Sequence, residues 1–181
     1  MNVIETLKYM SDHLQIAMVV TNYPEEEGNG ELEIIHANQP AATLFGHMTP
    51  RGLMGADVKS LMPKEISVDH TSFVNAYKGG RRNQFGIMGS WRQLHALRND
   101  GTQVPVSVNV ADVQNNTERY FVAVFMDRTH EVQQQKEIEE AKVEAEKMLA
   151  EVSKAHAEAE EAKAEAEEGL FKQQKLTNQV S

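Results

Sequence analysis

From Ile138 to Ala166, small and apolar side chains recur at steps that alternate between three and four residues: Ile138, Ala141, Ala145, Met148, Val152, Ala155, Ala159, Ala162 and Ala166. A mean step of 3.5 residues puts them on one stripe of a helix, as the a and d positions of four heptads. No other feature constrains the chain so tightly, because such a stripe is completed only by a second helix. The seam is mostly alanine, so two helices approach closely while each layer buries little area. At ~25 cal/mol per Å² the pairing is weak and shifts cheaply, which suits a signalling rod. A solvated Ala-Glu-Lys helix is the competing reading, and the unbroken alternation favours the seam.

The rest of the chain is a different material. All five prolines and ten of the eleven glycines lie before His130. The tail carries thirteen Glu against seven Lys, so it holds −6 of the net charge of −9. An acidic chain repels phosphate backbones, which argues against nucleic-acid binding. The absence of cysteine excludes disulfides, thiolate metal sites and cysteinyl flavin adducts, and agrees with a reducing compartment. No apolar run reaches the ~18 residues of a membrane span. The opening MNVIETLKYMSDHLQ lacks the basic and apolar regions of a signal peptide. A cytoplasmic protein without membrane segments is expected.

Ile4, Leu7, Met10 and Leu14 predict a short amphipathic helix over residues 2–14. Two strands are expected at 15–22 and 32–37, joined by the polar stretch YPEEEGNG. Short helical pieces follow at 38–45 and 56–61, broken by Gly46, Pro50, Gly52, Gly55 and Pro63. A longer helix over 68–78 ends at Gly79-Gly80, with His70, Phe73, Val74 and Tyr77 on one face. Three strands come next, at 91–97, 103–113 and 120–126. The middle one alternates Val104, Val106, Val108 and Val110, and the last, YFVAVFM, is continuously apolar as a central strand is. The order implies an α+β domain, one antiparallel sheet with helices on one face. Three segments result: an N-terminal helix (1–14), a globular domain (15–129) and a coiled-coil helix (130–181).

The globular part resembles a PAS domain. The stretches that carry the likeness are IIHANQPAATLFGH, LMGADVKSLMP, DHTSFVNAYKGG, RQLHALRNDGTQVPVSV and YFVAVFMDRT, the last ending in an Asp-x-Thr like that with which PAS domains pass into an exit helix. The resemblance implies the PAS fold, a five-stranded antiparallel sheet followed by that helix. It does not name a function.

Within the family the chain is similar to the haem-binding oxygen and redox sensors of the FixL and DOS types. Their proximal histidine stands in a pattern resembling His-x-x-Tyr/Phe-x-x-x-Tyr, here His70, Phe73 and Tyr77. The resemblance assigns haem b to the domain and the iron to His70. Counting forward, a DOS-type sixth ligand falls on Met88; counting back from Asp100-Gly101, a FixL-type oxygen partner falls on Arg92. The intervening stretch is two residues longer than in either type, so both stay open. Val108 and Val110 match the wall over the distal face, and Trp91 is placed to cap the pocket. Ala76 and Gln84 stand where propionate partners are expected, with Arg81, Arg82 or Arg92 as substitutes.

The chemistry agrees with this assignment. A neutral imidazole is a good iron ligand, and haem needs an apolar slot with polar groups only where its propionates exit. The bland alternative is a hydrogen-bonded core histidine in a PAS domain that binds FAD or no cofactor and only dimerises. No enzyme motif appears: there is no phosphate-binding glycine loop or nucleophile elbow, and His156 lacks the proline of a kinase phosphoacceptor box. The Ala-Glu-Lys tail resembles the connectors that precede the methyl-accepting domain of bacterial chemoreceptors. A homodimer, a diatomic gas ligand and an output domain in cis are the partners this implies; cyclic-dinucleotide enzymes and histidine kinases are the other outputs considered.

Overall fold

The structure, a computed structural model, describes residues 3–24, 31–78, 88–114 and 118–179. They fall into two units, Met1–Val132 and Gln133–Ser181.

The first unit opens with helix α1 (Val3–Asp12), then strands β1 (Ala17–Asn22) and β2 (Ile34–Ala37). Helix α2 (Gln39–Leu44), two 3₁₀ turns (Pro50–Gly52 and Val58–Leu61) and helix α3 (Lys64–Lys78) follow. Strands β3 (Arg92–Leu97), β4 (Gln103–Gln114) and β5 (Arg119–Asp127) lead into helix α4 (Thr129–Gln179). All five strands form one antiparallel sheet in the order β2-β1-β5-β4-β3. β1 and β5 lie inside it, which is why both read as apolar runs. The turn from β3 to β4 rests on Gly101, whose φ of +82° is the left-handed region that glycine enters freely.

Period-two alternation divides the sheet into two faces. Ala17 and Val19 join the main core with Phe45, Val106, Phe121 and Phe125, whereas Met18 and Val20 join Val122 in a smaller cluster. Leu7 of α1 packs on that second cluster. α1, which precedes the strand–helix–strand order of the domain, thus packs through Leu7 on the side of the sheet opposite the main core. Polar bonds fix it there. Ser11 Oγ donates to Lys8 O at 3.0 Å, so at the 2.7 Å contact His36 Nε2 donates to Ser11.

Asn38 joins three elements. Its Oδ1 accepts from Ala41 N (3.0 Å), capping α2, and from Met18 N (2.9 Å) in β1. Its Nδ2 donates to Ser11 O (3.0 Å) and Ile16 O (2.8 Å).

At the exit of the sheet, Asp127 Oδ1 accepts from Thr129 N at 2.7 Å and from Thr129 Oγ1 at 2.5 Å. Arg128 N donates to Pro105 O at 2.9 Å, and Arg98 lies 3.9 Å from the Asp127 carboxylate. The start of α4 is thus tied to β4 and β5. In the second unit α4 carries Ile138, Met148 and Val152 exposed, beside solvated pairs such as Lys154 and Glu158 at 3.8 Å.

Candidate functional site

Between α3 and the inward face of the sheet lies a mostly apolar cavity of about 170 Å³. That is about tenfold more than one water requires. Its walls come from β1, β5, β4 and β3, from the turn at Val58–Leu61, and from α3. It therefore crosses four neighbouring strands.

Helical spacing brings His70, Phe73, Val74 and Tyr77 to this wall, as the sequence predicts. Val108 and Val110 face them from β4, and Met88 and Arg92 close the β3 side. The two rival countings thus end at one place. Arg92 opens β3 opposite Val108. Met88 precedes the strand, yet it bridges Val110 in parallel, and Gly89 N donates to Val110 O at 3.0 Å. Trp91 does not cap the cavity; it is 49% exposed. The reason is strand parity: Arg92, Leu94 and Ala96 line the cavity, so their alternating neighbours point away. Gly79, Gly80, Arg81, Arg82 and Gln84 lie outside the described residues.

His70 is half-buried, and its Nδ1 is sealed from solvent without a hydrogen-bond partner. Burial holds its pKa below the ordinary 6.5, Asp57 opposing this and Lys59 adding to it. The ring is therefore neutral at pH 7, the form in which imidazole donates a lone pair.

Three features escaped the sequence. Tyr77 OH donates to Asp112 at 2.7 Å, and Arg119 grips the same carboxylate in a two-pronged pair at 2.9 and 2.5 Å. The Arg119 guanidinium also lies 4.0 Å over the Tyr23 ring. Asp112 raises the pKa of Arg119, so this charge is permanent. The network pins the end of α3 to β4 and β5. Phe121 and Phe125 add aromatic walls from β5. Thr21, 3% exposed, brings a second buried polar atom without a partner to the cavity. The visible signal for Thr21 was one hydroxyl on the otherwise apolar inward face of β1.

The family model described as a PAS domain matches residues 18–130, more than half of the chain. The chain belongs to the PAS family. Among curated relatives of this PAS protein is the sensor protein FixL of Bradyrhizobium diazoefficiens, 29% identical over 118 residues. The match covers 65% of this chain and 22% of FixL, so the chain spans less than a quarter of that relative's length. Among solved structures, the PAS domain of the fruit-fly ELK potassium channel superposes with a TM-score of 0.54 at 15% identity, covering 72% of this chain and all of that one. An RNA-binding Light-Oxygen-Voltage receptor gives 0.53 at 14% identity, covering 77% of this chain and 37% of the receptor. At such identities the likeness is one of fold. Among the described residues, no helix is long and apolar enough to cross a membrane.

Proposed function

We propose that this chain is the sensory PAS domain of a bacterial signal-transduction protein, binding haem b through His70 to sense oxygen, another diatomic gas or redox state. The observation that carries this is the His70 ring, neutral and half-buried, which lines an apolar cavity. The pattern His70, Phe73, Tyr77 and the relation to FixL support the same reading.

The residues present fit the group. The donor is a neutral imidazole and the walls are apolar, the chemistry that haem requires. When bound, haem supplies reversible coordination of a diatomic gas or one-electron redox chemistry. His70 would hold the iron from α3. Met88 offers a thioether and Arg92 a hydrogen-bond donor at the β3 side. The valines of β4 exclude water.

Signal leaves through β4 and β5. Arg128 and Asp127 join those strands to the first turn of α4, so a shift of the sheet reaches the helix directly. A ligand biases α4 only by its differential affinity for two states, typically ~1–3 kcal/mol of coupling. We take α4 to pair with that of a second copy through the alanine-rich seam. The output, a methyl-accepting domain by resemblance, would follow it in cis. The chain itself binds and relays rather than catalyses.

The test is the absorption spectrum of the purified protein, before and after addition of hemin. A Soret band that His70→Ala abolishes supports haem. Flavin absorbance would move the assignment to FAD. A protein colourless even with hemin would leave a cofactor-free dimerisation module, the outcome that overturns the proposal.

A further inference from the structure

α3 carries His70, yet little apolar packing holds this helix to the sheet. Among its described residues Val74 alone is buried, because its inward side lines a cavity rather than a filled seat. The helix is held near its two ends instead. At the start, the buried Pro63 takes the N–H groups of Ile66 and Ser67 on its carbonyl oxygen, 3.0 Å from each. At the other end, Tyr77 OH donates to Asp112 Oδ2 at 2.7 Å, and the Tyr77 ring meets that of Phe121 edge-on with centroids 5.8 Å apart. Asp112 in β4 and Phe121 in β5 are cross-strand partners, so Tyr77 spans one rung of the sheet. Arg119 grips the same carboxylate at 2.9 and 2.5 Å, which fixes the point of attachment. His70 stands seven residues from Pro63 and seven from Tyr77. Each span is about 10 Å of helix.

We propose that Tyr77 and Asp112 are positioning residues, their hydrogen bond setting how far α3, and with it His70, stands from the sheet. The inference rests on the reading that His70 holds the cofactor, and it names what keeps that imidazole in place. A helix on a filled apolar seat is fixed along its whole length. A helix over a cavity is fixed at its supports, and losing one lets that end lift. A ligating side chain has to be held to within ~0.5 Å of its working position. A hydroxyl bonded to a carboxylate is short, strong and directional, and so suits that task. Packing alone gives no reason for the hydroxyl, since a phenylalanine ring would cover Phe121 equally well.

Tyr77→Phe keeps the ring and removes only the bond. Amide hydrogen exchange of the whole unliganded chain is expected to run about tenfold faster along α3 in this variant, one hydrogen bond to a charged acceptor, and at the native rate in β1 and β2. Tyr9→Phe, the same change on a ring that is 66% exposed, should leave α3 at the native rate. Loaded with hemin, Tyr77→Phe should release it to a scavenger about tenfold faster than the native protein, and no faster still when Asp112→Ala is added, because both changes break one bond. Native exchange along α3, or a rise spread evenly over the sheet, overturns the inference. So does hemin release at the native rate from Tyr77→Phe. The exchange measurement needs no cofactor, which separates the two claims. A native protein that takes up no hemin removes the haem reading, while faster exchange confined to α3 still establishes Tyr77 and Asp112 as its support. Uptake that depends on His70 but is indifferent to Tyr77 keeps haem and removes this pair.

Discussion

Asn38 and His70 are both polar side chains inside the domain, and they are satisfied differently. Asn38 is 0% exposed and uses every lone pair and proton it has, on α1, β1, α2 and the loop at Ile16. Replacing it by alanine orphans several backbone groups at once. Asn38→Ala is expected to cost about 3 kcal/mol in chemical denaturation, whereas exposed Thr43→Ala should change stability by less than about 0.5 kcal/mol. His70 Nδ1 holds no such bond. Burial sets the sign of the pH dependence. His70 and His36 both have pKa values lowered from 6.5, burial being the main cause; Asp12 and Lys8 act on His36, and Asp57 and Lys59 on His70. Below pH 6.5 the unfolded chain binds protons that the folded domain resists. Stability is therefore whole above that pH and lost as pH falls. The melting temperature should drop by a few degrees between about pH 6.5 and about pH 5, and His70→Ala or His36→Ala should flatten the fall. At this scale the sequence was readable wherever period settles orientation. His70, Phe73, Val74 and Tyr77 follow from helical spacing. Trp91 did not, because one residue of register at the start of β3 reverses its side. The bond from Tyr77 to Asp112 joins groups 35 residues apart and leaves no local mark.

Among the elements, periodicity located strands better than helix ends. α3 starts at Lys64, a turn earlier than its apolar face suggests, because Pro63 O takes the N–H groups of Ile66 and Ser67 and so opens the first turn. The short helical piece expected at 56–61 is a 3₁₀ helix over Val58–Leu61, too short to show a period. α4 continues through Gly169 to Gln179, past the end of the perfect repeat. A single glycine costs a helix only about 1 kcal/mol. The exposed Ile138, Met148 and Val152 are the large side chains of the seam. Val152→Lys would put an ammonium at an a or d position. In sedimentation equilibrium it is expected to weaken self-association about tenfold or more, while Lys154→Ala, beside the seam, should leave it nearly unchanged. A chain that sediments as a monomer before any substitution would remove the coiled coil from the account.

For the whole molecule, the division into a sheet domain and a helical tail is legible because two periods, 2 and 3.5, occupy separate stretches of sequence. The family follows from motifs that the fold then places around one cavity. The ligand is harder to read, since a histidine on an apolar face looks the same whether it grips iron or fills a core. The structure adds that its Nδ1 is buried without a hydrogen-bond partner. The most direct measurement is hemin titration followed at the Soret band, native protein against His70→Ala. The account expects saturable uptake at one haem per chain in the native protein and its loss in the variant. Uptake that is equal in both, or absent from both, would contradict it.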